Sequence, residues 1–422
     1  MKKCVCFLLL LTLTLALLAG CAPADQPVLE QPADPPIQNV DDIKPDITFE
    51  SAYTDLAVAL FQQTAKANLD KNLLISPLSI QLALAMTANG ADGQTRQEME
   101  ALIGRGIDLE ALNAYLHSYV ENLPSQEKAK LSIANSIWLR DQKQLTVEES
   151  FLQSNQDYYN AEVFKRSFDE TTVKEINNWV DHNTAGMIDQ ILDKIDQQSM
   201  MYLINAMAFD AEWMVPYYDF AIADGSFTSL TGQQQTVPML HGSEHYYLSD
   251  GHATGFVKPY VGGQYSFVVL LPNQGVDLYD YIGSMTAQQL TETLAGAEDV
   301  NVITQLPSFR YDFSQNMNDI LRELGMPTAF EPDHADLSKL GKIEENNLYI
   351  GNVVHKTFIQ VDGLGTKAGA ATIVEVYAGS AMIPEPQPRP KEVIVDRPFV
   401  YMILDMENNL PLFIGCVTEI TE

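Results

Sequence analysis

Cysteine is scarce in this chain, and three of its four cysteines stand within the first 21 residues. Only Cys416 lies in the remainder of the 422-residue sequence. The disulfide framework that stabilises many small secreted domains is therefore excluded for the body of the chain. Its stability must come from a hydrophobic core, and the chain is long enough to build a large one.

The first residues have the pattern of an export signal. Lys2 and Lys3 precede an apolar run over 5–18, which is too short to cross a bilayer comfortably. The following "LAGC" (18–21) resembles the bacterial lipoprotein box, in which Cys21 would become the lipidated first residue. The alternative is an ordinary signal peptide with a chance cysteine.

These features predict three segments: a signal peptide over 1–20, a lipid-anchored disordered tether over 21–47, and a single domain over 48–422. The tether is rich in Pro, Asp and Gln, and neither a repeat nor a second linker follows it. The predicted location is the outer face of the cell membrane, held by the lipid alone, or the extracellular medium if the domain is released.

Basic residues are also few, with 25 Lys and Arg against 56 Asp and Glu and a formal net charge of −31. Removal of the two lysines in the predicted leader leaves 23 against 56, or −33. Such a surface argues against nucleic acid and anionic lipid as partners.

Local signatures of catalysis are missing, and two apparent motifs are interpreted as coincidences. "HGSEH" (241–245) matches a zinc-peptidase pattern, but that site needs both imidazoles on one helical face, and the surrounding residues favour extended chain. Gly363, Gly365 and Gly369 form a loose dinucleotide fingerprint, but β-branched residues rather than a helix follow. No metal or cofactor is predicted. A catalytic triad assembled from distant segments stays open.

Helices and strands alternate irregularly, which predicts an α+β fold. Helical spacing and capping predict helices over 54–68, 76–90, 95–104, 147–159, 172–184, 286–294 and 315–324. Apolar and β-branched runs predict strands over 131–139, 201–210, 265–271, 300–306, 353–362, 393–405 and 411–417.

One stretch, "GTKAGAAT" (365–372), is made of small residues between two strand-forming segments. Alternate positions carry only small or β-branched uncharged side chains, as the buried face of a central strand requires: Thr366, Ala368, Ala370, Thr372, Val374 and Val376. The glycines equally suit a mobile loop. Four prolines between 384 and 390 exclude an interior strand there. The stretch must therefore suit both a loop and a strand.

Several separated stretches from about residue 50 to the end resemble the serpin family of serine protease inhibitors. They are "NLLISPLSIQLALAMTANGADGQTRQEM" (72–99), "NWVDHNTAGMI" (178–188), "LINAMAFDAEW" (203–213), "VHKTFIQVDGLGTKAGAAT" (354–372), "DRPFVYMI" (396–403) and "LPLFIGCV" (410–417). The resemblance implies several helices packed on three β-sheets, an exposed reactive loop and a metastable native state.

The resemblance also implies a function. Serpins are single-use inhibitors rather than enzymes: a protease cleaves the loop, forms an acyl-enzyme, and is distorted when the loop inserts into the central sheet. The implied partner is a serine protease, a cysteine protease is the alternative, and a monomer is expected. The residues around the implied cleavage site suit an elastase- or subtilisin-like enzyme.

Residues carried over from the family fall into three groups. The hinge and inserting face comprise Gly365, Thr366, Ala368, Ala370, Ala371, Thr372, Val374 and Val376. The polar cluster beneath the sheet that opens comprises Ser76, Ser79, Asn205 and His355, with Trp213 at the top of that sheet. The implied scissile bond is Gly379–Ser380, with Met382–Ile383 as the alternative register.

The sequence departs from the family at Gly363 and Lys367, where serpins usually carry glutamate. Because of these departures a second interpretation stays open, namely a non-inhibitory serpin fold that acts as a surface binding protein.

Overall fold

A computed structural model describes residues 44–141, 145–196, 198–344, 347–366 and 389–420. The predicted signal peptide and Cys21 lie outside these ranges. So do most of the predicted loop residues: Ala368, Ala370, Ala371, Thr372, Val374, Val376, Gly379, Ser380, Met382 and Ile383.

The helices of the described residues occur mainly in the first half of the chain. They are α1 (Ile47–Ala67), α2 (Pro77–Ala88), α3 (Gly93–Gly104), α4 (Leu109–Asn122), α5 (Glu149–Tyr159), α6 (Glu170–Asn183), α7 (Leu278–Ser284), α8 (Ala287–Ala295) and α9 (Asn318–Glu323). None of the described helices is long and apolar enough to cross a bilayer.

The strands become denser toward the C-terminus. They are β1 (Leu73–Ile75), β2 (Ala129–Arg140), β3 (Leu145–Val147), β4 (Glu162–Arg166), β5 (Met201–Glu212), β6 (Ile222–Thr228), β7 (Gln234–Ser249), β8 (Ala253–Pro259), β9 (Tyr265–Pro272), β10 (Glu298–Pro307), β11 (Phe309–Asn316), β12 (Gly341–Ile343), β13 (Val354–Val361), β14 (Gly365–Thr366), β15 (Lys391–Ile394), β16 (Phe399–Asp405) and β17 (Leu410–Val417).

These strands form three sheets within the described ranges, which confirms the predicted α+β fold. A nine-stranded sheet has the order β1-β17-β16-β9-β8-β7-β10-β15, with β6 paired to β7. A six-stranded sheet has the order β11-β13-β14-β5-β2-β4, and β12 pairs with β3. The two-residue strand β14 lies inside the six-stranded sheet and positions the candidate site.

Local sequence explains why α2 begins beneath that sheet. The Ser76 side chain accepts a hydrogen bond from the Ser79 backbone N–H, and Pro77 occupies the first helical position. The predicted start of this helix is confirmed.

Three predicted elements are wrong in their bounds. The helix predicted over 54–68 begins seven residues earlier, at Ile47, because the Asp46 side chain caps the first backbone N–H groups there. The single strand predicted over 393–405 is two strands, because Pro398 lies in the break between β15 and β16. Proline has no N–H to donate to a sheet and a fixed φ. The helix predicted over 315–324 is shorter, because β11 extends to Asn316.

The core contains one thiol among the described residues. Cys416 lies in β17, between Leu73 of β1 and Val400 of β16, and it is fully buried. Burial raises the pKa of its thiol to about 12, because the desolvated thiolate is disfavoured.

Candidate functional site

The candidate site is the end of the six-stranded sheet at which β14 separates two longer strands. Thr366 pairs with Val361 of β13 on one side and with Ala211 of β5 on the other, both antiparallel. The flanking strands are therefore one strand apart at this end. The first two residues of the predicted hinge already occupy a central position in the sheet.

The turn before β14 is fixed to the segment that follows β5. The backbone carbonyls of Gly363 and Leu364 accept hydrogen bonds from the N–H groups of Tyr217 and Trp213, each at 2.8 Å. The Trp213 indole N–H donates to the carbonyl of Asp362, also at 2.8 Å. Three successive carbonyls are thus held by two residues, and the entry point of β14 is well defined.

Thr366 lies in the interior rather than on the surface. Its side chain is 3% exposed, and its hydroxyl shares a hydrogen bond with that of Tyr260. The Tyr260 ring stacks on Trp213, with centroids 4.6 Å apart. Because strand side chains alternate between faces, every second residue after Thr366 would point toward the same interior if the strand continued.

Two glycines allow the close approach of this turn. A Cβ at Gly365 would lie 2.0 Å from the carbonyl oxygen of Ala211, and one at Gly363 would lie 2.9 Å from that of Tyr217. Any larger residue at either position would displace backbone. The departure from the family's glutamate at 363 therefore has a local steric reason.

The structure brings together three members of the predicted polar cluster. The Ser76 backbone N–H donates to Nε2 of His355 at 3.0 Å, and the Ser76 hydroxyl both caps Ser79 and contacts the sulfur of Met207. All three polar residues are buried. They join the start of α2 to β13 and β5 on the inner face of the sheet.

The other two predicted residues are Asn205 within β5 and Trp213 directly after it. Asn205 donates from its side chain to Oδ1 of Asn135 at 2.9 Å, and its own Oδ1 is buried with no hydrogen-bond partner among the described residues. Trp213 lies at the opposite end of β5, against the hinge turn. The polar cluster and Trp213 therefore lie at opposite ends of the gap between β5 and β13.

We expect His355 to make the stability of the protein depend on pH. Burial lowers its pKa from 6.5 to about 4. Between these values the unfolded chain binds a proton that the folded chain does not, so the free energy of unfolding falls as the pH drops from 6.5 to 4. The shift corresponds to roughly 3 kcal/mol.

The variant His355→Gln tests this dependence, because an amide can accept from Ser76 but does not titrate. Urea unfolding at pH 7 and pH 4.5 should show a smaller loss on acidification in the variant than in the wild type. Equal losses in both proteins would contradict the assignment.

Sequence inspection missed a buried ion pair beneath the same turn. Lys258 Nζ lies 2.8 Å from Glu244 and donates to the carbonyl of Val215 at 3.1 Å. Burial raises the pKa of Glu244 and lowers that of Lys258, while their mutual attraction opposes both shifts. The ammonium also lies 4.2 Å from the ring centroid of Tyr217. The pair anchors the segment that holds the hinge.

The zinc-peptidase pattern contains this same Glu244. Residues 241–245 lie within β7 rather than on a helix. The Glu244 carboxylate already forms an ion pair with Lys258. Across the described ranges, no group of three or more His, Cys, Asp or Glu side chains is arranged to hold a metal ion.

Comparison with known proteins agrees with this architecture. The family model described as "Serpin (serine protease inhibitor)" matches residues 51–420. An uncharacterized serpin-like protein of Thermococcus kodakarensis is 28% identical over 428 residues, covering 96% of this chain and 97% of the relative. Leukocyte elastase inhibitor A of Mus musculus is 29% identical over 386 residues, covering 87% and 98%.

Solved structures show the same fold. The thermophilic serpin tengpin in its native state is 44% identical, with a TM-score of 0.83 over 91% of this chain and 100% of tengpin. Human thyroxine-binding globulin is 25% identical, with a TM-score of 0.77 over 88% and 98%. The family match spans most of the sequence, and the chain belongs to the serpin family of protease inhibitors.

Proposed function

We propose that this protein is a single-use inhibitor of serine endopeptidases, with elastase- or subtilisin-like enzymes as targets. The observation that carries this proposal is β14, a two-residue strand already placed between β5 and β13. A cleaved loop that extends β14 would become a full central strand of the six-stranded sheet.

The register of β14 supports the proposed insertion. Continuing both of its pairings by six residues would bring Thr372 opposite Asn205 of β5 and His355 of β13. The Thr372 hydroxyl would then face the inner side that holds the unpartnered Oδ1 of Asn205. Insertion would satisfy a buried acceptor, whose loss of hydrogen bonding is otherwise costly.

The chemistry of the trap belongs to the protease. Its serine oxygen attacks the carbonyl carbon of Gly379, the bond to the nitrogen of Ser380 breaks, and the new amine takes a proton from the protease's general acid. The product is an ester between the protease and this chain. Insertion then carries the ester-linked enzyme along the sheet before water can hydrolyse the ester.

The energetic direction follows from strand addition. Each new backbone hydrogen bond contributes roughly 1 kcal/mol, and the inward side chains add buried apolar area. We therefore propose that the uncleaved form is metastable and persists because a kinetic barrier opposes loop insertion.

We also propose that the protein is exported by a bacterium as a monomer and anchored outside the membrane through a lipid on Cys21. The "LAGC" sequence (18–21) and the Pro-rich segment after it support this location. Serine proteases outside the cell would be the partners, and cysteine proteases that form acyl-enzymes also fit the chemistry.

A non-inhibitory binding protein is the second candidate. Its support is the structural similarity to a relative whose name states that it binds thyroxine, together with Gly363 and Lys367 at positions where serpins usually carry glutamate. Such a protein would be cleaved without trapping the enzyme.

Incubation with pancreatic elastase and with subtilisin distinguishes the two candidates. We expect a complex that survives denaturing electrophoresis, and mass spectrometry should find a released peptide that begins at Ser380. A peptide that begins at Ile383 would keep the mechanism and move the cleavage site. Clean cleavage without a complex, by every protease tried, would favour the binding protein.

A further inference from the structure

Large apolar side chains are exposed together around the hinge turn. They form the hinge patch, which comprises Met214 (50% exposed), Val215 (67%), Tyr218 (37%), Phe220 (88%) and Leu364 (38%). Burying such side chains in a partner is favourable, and clustered exposure of this kind is typical of interaction surfaces.

The hinge patch contrasts with the charge of the whole chain. The formal net charge is −31, yet Asp219 is the only charged residue in the segment 213–221. Interface centres are depleted in charge and enriched in aromatic residues and methionine. This composition indicates a partner bound through apolar contact.

The hinge patch is also held in a defined conformation. The carbonyl of Val215 accepts from the buried Lys258, and the N–H of Tyr217 is bonded to Gly363. The rings of Tyr218 and Phe220 stack with centroids 5.8 Å apart. A surface ordered in advance loses less entropy when a partner binds it.

Both ends of the segment that a protease would cleave lie beside the hinge patch. Residues 367–388 begin just after Thr366, which is two residues beyond Leu364 of the hinge turn. They end before Lys391, which lies beside Val302, and Val302 in turn lies beside Glu244 under the patch. Because both ends of this segment are attached near the patch, an enzyme bound to the segment is held close to the face that carries the patch.

We propose that the hinge patch is a docking surface for the target protease, separate from the residues that the protease cleaves. The proposal rests on the function proposed above only in requiring that a protease binds the loop. It predicts that the protease carries an apolar surface next to its active-site cleft. Because the contact is apolar, its contribution should change little with ionic strength.

The test removes the two most exposed side chains of the patch in the variant Val215→Ser/Phe220→Ser. The control is Leu69→Ser, which alters an exposed apolar residue just after the end of α1. Neighbouring Asn68 bonds to Gln315, which pairs with His355 at the other end of β13. The control therefore lies at the far end of the sheet.

We expect the second-order rate constant for inhibition of elastase or subtilisin to fall about tenfold in the patch variant, as for loss of a small hot spot. The control should inhibit at the same rate as the wild type. The ratio of the patch variant's rate constant to that of the wild type should be the same at low and high salt. In a Thr366→Arg background, where the chain is cleaved as a substrate, the patch variant should raise KM and leave kcat unchanged.

An unchanged KM and an unchanged inhibition rate would overturn the docking proposal. So would self-association of the wild type that the patch variant abolishes while inhibition stays the same, since a second copy would then be the occupant. A wild type that is cleaved but forms no trapped complex would refute the proposed inhibition alone, because the KM comparison needs only cleavage.

Discussion

Thr366→Arg is expected to turn this protein from an inhibitor into a substrate. Thr366 is 3% exposed, and its hydroxyl is bonded to Tyr260. An arginine there would place an unpaired charge in the core, at a cost of several kcal/mol. The arginine would therefore displace β14 from the sheet, and the cleaved loop would have no strand to extend. With any protease that the wild type traps, the covalent complex should nearly vanish on a denaturing gel while cleavage continues.

The variants Thr366→Val and Thr366→Ser control for this prediction. Valine keeps the shape and loses the hydroxyl, whereas serine keeps the hydroxyl and loses a methyl group. Both should retain most of the complex, because neither introduces a charge. A full yield of complex from the arginine variant would show that insertion does not proceed through β14.

Cleavage of the reactive loop should raise the melting temperature by at least ~20 °C. Extending β14 adds backbone hydrogen bonds to both neighbouring strands, each worth roughly 1 kcal/mol, and for a domain of about 375 residues each 1 kcal/mol raises the midpoint by about 1.3 °C. Cleavage by a protease that is then removed, followed by calorimetry of both forms, measures the difference.

The Thr366→Arg variant, cleaved at the same bond, provides the control. It should melt no higher than its uncleaved form, because its loop stays outside the sheet. An unchanged melting temperature in the cleaved wild type would favour the non-inhibitory binding protein. The two predictions together separate cleavage from insertion.

Much of the fold could be predicted from short-range patterns in the sequence. The Ser76-Pro77 pair predicted the start of α2, and the alternation over 353–362 predicted β13 within one residue at each end. These elements are determined by capping and by a two-residue period, which are properties of a short segment. The small residues around 365–372 likewise indicated a segment compatible with a strand.

Side-chain contacts between strands could not be predicted from the sequence in the same way. The Glu244–Lys258 pair joins two neighbouring strands, and only their register shows that the two charges meet in the interior. The hydrogen bond from the Asn205 side chain to Asn135 likewise joins two strands, β5 and β2. Side-chain partners of this kind depend on how strands align, and a single sequence does not state that alignment.

The buried position of Cys416 in β17 allows the opening of the surrounding core to be timed by a chemical reaction. A reagent in solution reaches this thiol only after the core packed around β17 has opened, since the side chain is fully buried. Burial also raises the pKa of the thiol, which lowers its reactivity. The rate of alkylation at this one sulfur therefore reports how often this part of the core opens. Followed on the C-terminal peptide by mass spectrometry, it would time the lifetime of the uncleaved fold without any engineered probe.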